Sequence, residues 1–67
     1  MIKVEFKNRV KEVRRQRGLR QIDLTRMVSA FQSEISMIEC GKRKSSVYLA
    51  KRIVKALGVS LDDLFFT

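Results

Sequence analysis

The sequence predicts an all-α fold, a bundle of five short helices. Its valine, leucine and isoleucine residues recur at intervals of three and four, the period of helices with one buried face. There is no proline, and each of the three glycines follows a helical run, where a left-handed residue ends a helix. A 67-residue chain forms one domain with a modest core, because it buries only about 60% of its unfolded surface. We therefore expect one domain over residues 1–67, with the helical core in residues 6–65.

The apolar period and the capping residues place the helices. Helices 1 to 5 are predicted over residues 6–17, 21–28, 31–40, 46–57 and 61–65. Ser46 is a good cap for helix 4, and Ser60 with Asp63 forms a capping box before helix 5. Arg20 cannot accept a hydrogen bond, so Asp23 is expected to accept from the free N–H groups that begin helix 2. The positions predicted to face the core are Phe6, Val10, Val13, Ile22 or Leu24, Val28, Phe31, Ile35, Ile38, Val47, Ala50, Ile53, Val54 and Leu57.

Residues 1–5 alternate between apolar and polar side chains. Ile2 and Val4 share one side with Phe6, while Lys3 and Glu5 share the other, which is the period of a strand. Three alternatives stay open for this segment: a short strand that pairs with a partner chain, a basic arm, or the first turn of helix 1.

The charge balance indicates an acidic partner. Fifteen lysine and arginine residues against seven acidic ones give a net charge of +8. Nucleic acid is the commonest partner of so basic a domain, and membrane headgroups are the rival. No segment approaches the roughly 20 apolar residues of a membrane span, and none resembles a signal peptide. We therefore expect a soluble, cytoplasmic protein.

The composition argues against an enzyme. The chain has no histidine, so it lacks the usual general base. Cys40 is the only cysteine, which excludes an intrachain disulfide and, without histidine, argues against a metal site. The acidic residues are scattered, with no catalytic dyad and no glycine-rich phosphate loop. We expect no catalysis, no cofactor and no small-molecule ligand.

Residues 31–41 carry the pattern that is most informative about function. As a helix, this stretch turns Ile35 and Ile38 inward and leaves a neutral polar face outward. Glu34 and Glu39 lie on its flanks, and Gly41 ends it. The outward face consists of Gln32, Ser33, Ser36, Met37 and Cys40, and the cations Lys42, Arg43 and Lys44 follow directly. Such a helix fits a DNA major groove, although this stretch alone is equally consistent with a solvated surface helix.

A larger set of positions keeps one order and spacing along the chain. It consists of Gly18-Leu19, Gln21, Leu24, Ile35-Ser36, Ile38-Glu39, Gly41-Lys42 and the run from Ala56 to Phe65. Together they resemble the phage-repressor and Cro helix-turn-helix (XRE) family, with no insertion or deletion between Gly18 and Gly41. The resemblance covers roughly residues 6–65. It implies a lambda-repressor-like bundle in which helices 2 and 3 bind double-stranded DNA and helix 3 enters the major groove.

The resemblance also implies roles for individual residues. The residues that correspond to base-contacting positions are Gln32, Ser33, Ser36 and Met37. Those that correspond to phosphate-contacting positions, or replace them, are Gln21, Arg20, Lys42, Arg43 and Lys44. Arg14 and Glu39 match an ion pair that joins helix 1 to helix 3. A glutamine amide can pair with adenine N6 and N7, whereas a methionine offers only apolar contact, for example to a thymine methyl group.

Four residues depart from the family pattern. Phe31 replaces the small hydroxyl residue usual at the cap of helix 3, so that cap is expected to be weaker. Ser29 occupies a turn position where glycine is frequent, and strain is expected there. Arg20 replaces Ser or Thr, and Thr25 replaces Ala at a crowded contact with helix 3. Phe31 and Thr25 leave the tilt of helix 3 open, and with it the base assignments.

The favoured functional hypothesis is a repressor that binds a palindromic operator as a homodimer. The apolar residues that end the chain exceed what a small core can bury, so they are candidates for the dimer surface: Leu61, Leu64, Phe65 and Phe66. The competing explanation is that the first three complete the monomer core.

Other functions stay open. Small stand-alone members of the family also resemble restriction–modification controllers and antitoxin-like autoregulators. A module that bridges transcription factors without sequence-specific base contacts is the alternative from another class. Oxidation of Cys40 is a further hypothesis, because it lies near the end of the outward face of helix 3.

Overall fold

The computed structural model describes residues 6–65, and within them it contains five α-helices. These are α1 (Val10–Gln16), α2 (Gln21–Met27), α3 (Gln32–Glu39), α4 (Val47–Leu57) and α5 (Leu61–Leu64). The predicted all-α, five-helix architecture is confirmed. The alternatives for residues 1–5 and the role of Phe66 lie outside the described residues.

The helices share one core. α2 packs on α3, and α1, α2 and α5 each contact α4. The fully buried side chains come from all five helices and the turn after α2: Val10, Leu24, Val28, Ile35, Ile38, Ile53, Leu57 and Leu64. Leu24, rather than Ile22, is the fully buried residue of α2. No helix within residues 6–65 is long and apolar enough to cross a membrane.

Helix 1 begins later than predicted. Residues 6–9 are not helical, and α1 starts at Val10. The Asn8 side chain accepts a hydrogen bond from the Val10 N–H at 3.1 Å, and the Arg9 N–H donates to the Leu64 carbonyl at 2.8 Å. An isolated antiparallel bridge joins Asn8 to Phe65. The backbone before α1 therefore bonds to the C-terminal segment instead of continuing the helix, and Phe6 is left partly exposed.

Besides Phe6, two side chains predicted to face the core are exposed instead. Phe31 is 78% exposed and Val47 is 70% exposed. Phe31 is the N-cap of α3 and has extended backbone angles (φ −87°, ψ 145°), so the helical period does not determine its direction. Val47 is the first residue of α4, and in that turn Leu49 is buried instead. A helical period gives the direction of a side chain but not whether another element covers it.

The turn between α2 and α3 contains the strain that the sequence predicted. Ser29 has a φ of +55° and is the one non-glycine residue with positive φ among the described residues. Its N–H donates to the Arg26 carbonyl and the Ala30 N–H to the Thr25 carbonyl. After α3 the same two bonds, made by Gly41 and Lys42, end that helix with glycine in the left-handed position. Ser29 therefore occupies a glycine position of a helix-ending motif.

We expect Ser29→Gly to stabilise the fold by about 0.5–1 kcal/mol. The left-handed conformation costs an L-residue roughly 1–2 kcal/mol, and glycine removes that cost while adding some entropy to the unfolded chain. Urea unfolding followed by circular dichroism measures the difference. Ser36→Gly, inside α3, is the matched control and should destabilise by about 0.5 kcal/mol. A loss of stability in Ser29→Gly would contradict the assignment of strain.

The predicted capping box of α5 is confirmed. The Ser60 hydroxyl accepts from the Asp63 N–H at 3.3 Å, and the Asp63 carboxylate accepts from the Ser60 N–H at 3.1 Å. The backbone hydrogen bond from Ser60 is the main reason that the pKa of the Asp63 carboxyl lies below its usual value. Its contribution to stability is therefore present above the ordinary carboxyl pKa and is lost as pH falls through the lowered one.

This linkage gives an expected pH dependence. Asp63→Asn should lose less stability than the original chain when pH falls from about 5 to about 2, because it has no charged form to protonate. Thermal unfolding at a series of pH values measures the loss. Asp62→Asn removes a neighbouring carboxyl outside the capping box and is the matched control for the loss of one negative charge in the same turn. Parallel curves for Asp63→Asn and the original chain would exclude the linkage.

Candidate nucleic-acid interface

α3 presents one side to the core and the other to solvent. Ile35 and Ile38 are fully buried. The predicted base-contacting residues lie on the opposite side: Gln32, Ser33 and Met37 are exposed and Ser36 is half-buried. Cys40 is an exposed free thiol at the end of the same helix. The outward face of α3 is therefore uncharged and accessible, with Ser36 the least accessible of its four predicted contact residues.

A buried ion pair holds α3 against α1. The Arg14 guanidinium donates twice to the Glu39 carboxylate, from Nε to Oε2 at 2.8 Å and from Nη2 to Oε1 at 3.2 Å. Only 8% of the Arg14 side chain and 2% of the Glu39 side chain are exposed. Arg14 Nη1 also donates to the Leu19 carbonyl at 2.7 Å, and Gln21 Nε2 donates to Glu39 Oε1 at 3.2 Å. This network connects α1, the turn after it, the first residue of α2 and the end of α3.

Gln21 is therefore a structural residue as well as a predicted phosphate contact. It is half-buried, and its amide donates one hydrogen to Glu39. A glutamine amide nitrogen carries two hydrogens, so a second remains for another acceptor. Thr25, one turn further along α2, is buried and donates to the Gln21 carbonyl at 2.8 Å. Its hydroxyl is thus satisfied within α2.

Asn8 is a positioning residue that the sequence did not predict. Its side-chain amide donates to the Ile38 carbonyl at 2.7 Å, in the last turn of α3. The Phe6 N–H donates to the Gly41 carbonyl at 3.1 Å, directly after the same helix. An asparagine shortly before a helical run is a recognised capping signal, but nothing in the sequence indicates that its other end would reach α3. The segment before α1 thus anchors the C-terminal end of α3.

Arg20 and Asp23 form an exposed pair at the start of α2. The Asp23 carboxylate accepts from the Arg20 backbone N–H at 2.8 Å, which confirms the expected role of Asp23. It also accepts from the Arg20 guanidinium at 3.0 and 3.1 Å. These side-chain bonds raise the pKa of Arg20 and lower that of Asp23. Part of the charge that Arg20 could offer to a phosphate is therefore neutralised within the chain.

The three cations after α3 differ in their surroundings. Lys42, Arg43 and Lys44 are all exposed in the loop between α3 and α4. Arg43 Nη2 lies 3.9 Å from Glu34 Oε2, a loose and partly exposed ion pair. Within residues 6–65, Lys42 and Lys44 make no salt bridge. The loop thus carries two unpaired cations and one that offsets the acidic residue in the first turn of α3.

A second basic surface lies on α4 and was not anticipated from the sequence. Its outward side carries Tyr48, Lys51, Arg52 and Lys55, all exposed. The Arg52 guanidinium lies 5.3 Å from the centre of the Tyr48 ring, within the range of a cation–π contact. α4 contains no acidic residue. Its outer side is therefore a cationic stripe.

Among the described residues 6–65, the proposed dimer residues do not form one exposed surface. Leu64 is fully buried and Phe65 packs against the core, so their assignment as dimer contacts is wrong for Leu64 and weakened for Phe65. The bonds from Arg9 and Asn8 to this segment draw it against the start of α1. Leu61 remains partly exposed. The competing explanation, completion of the monomer core, holds for Leu64, and Phe65 is partly buried against the same core.

Comparison with known proteins gives a consistent result. A family model described as helix-turn-helix matches residues 10–64. The chain is 37% identical over 60 residues to the uncharacterised HTH-type transcriptional regulator MJ0272 of Methanocaldococcus jannaschii, covering 90% of this chain and 91% of that protein. It is 35% identical over 61 residues to the uncharacterised HTH-type transcriptional regulator YgzD of Bacillus subtilis, covering 91% and 92%.

A solved structure is also similar. The crystal structure of the restriction-modification controller protein C.AhdI from Aeromonas hydrophila superposes with a TM-score of 0.80 and 28% sequence identity. The match covers 85% of this chain and 86% of that chain.

Proposed function

Because this chain belongs to the helix-turn-helix family, we infer that it is a DNA-binding transcriptional regulator, and we propose that it represses transcription by binding a palindromic operator as a homodimer. The observation that carries the proposal is the geometry of α3. Its outward face is neutral and accessible, while Ile35, Ile38 and the ion pair of Glu39 fix its inner side. A neutral helix of this kind fits the major groove with its N-terminal residues toward the base edges.

Each predicted base-contacting side chain makes a different kind of interaction in this proposal. Gln32 is exposed in the first turn and pairs with adenine N6 and N7, which discriminates against other bases by about 1–3 kcal/mol. Ser33 donates to or accepts from several bases. Ser36 is half-buried and contributes less, while Met37 makes apolar contact.

Phosphate contacts set the position of the protein without selecting sequence. Lys42 and Lys44 make most of these contacts, because neither is in a salt bridge within residues 6–65. Gln21 offers its remaining amide hydrogen. Arg20 and Arg43 contribute less, since each already faces a carboxylate.

The size of one recognition helix supports the homodimer in this proposal. One recognition helix covers about half a helical turn, so a two-fold dimer places two of them roughly 34 Å apart in successive major grooves. The described part of the chain measures 30 × 23 × 22 Å, a width that suits two copies side by side at that spacing. Leu61 is the exposed apolar candidate for the contact between them.

A second candidate function within the same class is control of a restriction–modification operon. The similarity in fold to a restriction-modification controller protein, at 28% identity, favours it. Both functions require sequence-specific DNA binding, and the identity of the genes beside the coding sequence separates them.

Selection of bound sites from random DNA at two salt concentrations tests the proposal. We expect a palindrome with half-sites about one helical turn apart. Gln32→Ala should relax the preference at one position of each half-site, whereas Lys42→Ala should weaken binding to every sequence equally.

The alternative of a bridging module gives a different outcome. If Gln32→Ala and Ser36→Ala leave both affinity and sequence preference unchanged while Lys42→Ala weakens all binding, sequence-specific recognition is excluded. Sedimentation of the protein with one and with two half-sites gives the number of chains bound. A single chain on a full palindrome would remove the dimer from the proposal.

A further inference from the structure

Phe31 contributes little buried surface to the fold and no side-chain cap to α3. It is the most exposed large apolar side chain within the described residues, at 78%. It is also the N-cap of α3, where Ser, Thr, Asp or Asn would accept a backbone hydrogen bond, and its side chain makes no such bond. The ring is therefore little buried, and the start of α3 has no side-chain cap. The exposed ring is therefore available for an apolar contact with a binding partner.

If α3 enters the major groove, the position of Phe31 indicates that the partner of its ring is a DNA base. The residue directly precedes Gln32 and Ser33, at the N-terminal end of α3. In helix-turn-helix docking, the N-terminal residues of the second helix contact the base edges. Its extended backbone releases the ring from the inner stripe of the helix, so it lies in solvent at the end that would meet the bases.

The chemistry of the ring limits what it can recognise there. A phenyl group neither donates nor accepts a hydrogen bond. Among the base edges of the major groove, the apolar feature is the C5-methyl group of thymine. A cytosine methylated at C5 carries the same group on the same ring carbon.

We propose that Phe31 is a specificity-determining residue that contacts the C5-methyl group of a pyrimidine, in or beside the base pair that Gln32 contacts. The two neighbouring side chains then recognise complementary features. Gln32 takes the hydrogen-bonding edge of adenine, and Phe31 takes the methyl group that an A·T pair also presents. This assignment deepens the proposed function and depends on it.

Replacing thymine by deoxyuridine, one position at a time in the selected operator, tests the contact. The exchange removes a single methyl group and leaves base pairing unchanged. We expect one thymine in each half-site at which deoxyuridine weakens binding about fourfold, the effect of one buried methyl group. The ratio of the affinity for the thymine operator to that for the deoxyuridine operator measures the contact. With Phe31→Ala this ratio should fall to about one at that position, while Phe31→Leu should keep part of the preference for thymine.

Met37→Ala is the matched control, because it removes another exposed apolar side chain of α3. It should keep the ratio at the Phe31 position and change it, if anywhere, at a different thymine. If Phe31→Ala retains the original ratio at every thymine, the proposal is overturned, and the ring then serves another surface such as a protein partner.

A second arm distinguishes the two sources of the methyl group. The critical A·T pair is replaced by a G·C pair, with the cytosine either unmethylated or methylated at C5. Tighter binding to the methylated form, abolished by Phe31→Ala, shows that the methyl group is recognised on either pyrimidine. Equal binding to the two forms, with the thymine effect intact, restricts the contact to thymine.

Phe31→Ser separates recognition from folding. Serine is a good N-cap, so this variant should unfold at the same or a higher temperature while losing the discrimination against deoxyuridine. Failure of this inference is also distinct from failure of the proposed function. A chain that selects no preferred DNA sequence refutes the function, whereas an intact preference with an unchanged ratio in Phe31→Ala refutes only the contact.

Discussion

Replacing Arg14 by methionine is expected to destabilise the chain by about 3–5 kcal/mol, the largest effect of any single substitution considered for it. The substitution leaves the Glu39 carboxylate 2% exposed with no cation beside it. It also removes the donor to the Leu19 carbonyl. A small domain has a total stability of only about 5–15 kcal/mol, so a substantial unfolded fraction is expected well below the original melting temperature.

The exposed pair of Arg9 and Glu12 provides a matched control within the same chain. It has similar geometry, with Nε and Oε2 separated by 3.1 Å, but its side chains are 43% and 55% exposed. Arg9→Met should therefore destabilise by no more than about 1 kcal/mol. Urea unfolding at 25 °C measures both. Equal losses for Arg9→Met and Arg14→Met would show that burial does not set the strength of the pair.

A double-mutant cycle separates the pair from its surroundings. Arg14→Met together with Glu39→Leu removes both charges, and it should be less destabilising than the sum of the two single variants. The functional consequence follows from position, because Glu39 is the last residue of α3. Operator affinity should fall in Arg14→Met even after correction for the unfolded fraction. An affinity that is unchanged after correction would mean that the pair stabilises the fold without orienting α3.

The sequence predicted most of the fold because local signals determine most helix ends here. Ser46, Ser60 and the glycines after α1 and α3 mark boundaries that agree with the structure within about two residues. The predicted start of α1 was wrong, because the residues before Val10 form hydrogen bonds with Leu64 and Phe65, which are distant in sequence. Hydrogen bonds between segments far apart in sequence leave no periodic signal.

In the candidate site, too, features set by the local sequence were predicted, and contacts between segments distant in sequence were missed. The inner anchors Ile35 and Ile38 followed from the helical period, and a family resemblance pointed to Arg14 and Glu39. Asn8 could not be identified, because its acceptor on α3 lies 30 positions away in sequence. Phe31 was placed inward because the helical period was extended one residue too far, onto a cap with extended backbone. Phe31, whose direction was predicted incorrectly, is also the residue that we propose contacts DNA directly.

Removing the three cations after α3 is expected to have the largest effect on DNA affinity. Each phosphate contact contributes about 0.9 units to the slope of log affinity against log salt concentration. Lys42→Ala, Arg43→Ala and Lys44→Ala combined should therefore flatten the slope by about 2–3 units per chain and weaken binding on the order of a hundredfold at about 0.1 M salt. Because phosphate contacts carry no base information, the preference among sequences should survive.

The cationic stripe of α4 supplies a control of equal charge. Lys51→Ala, Arg52→Ala and Lys55→Ala combined lower the net charge by the same three units, from +8 to +5. If the loop after α3 lies against the phosphates and the stripe does not, the α4 variant should change the slope by less than about one unit. Glu34→Gln adds a test of opposite sign, since it frees Arg43 and should strengthen binding to all sequences. Equal slopes for the two triple variants would show that total charge, rather than the loop after α3, governs the attraction to DNA.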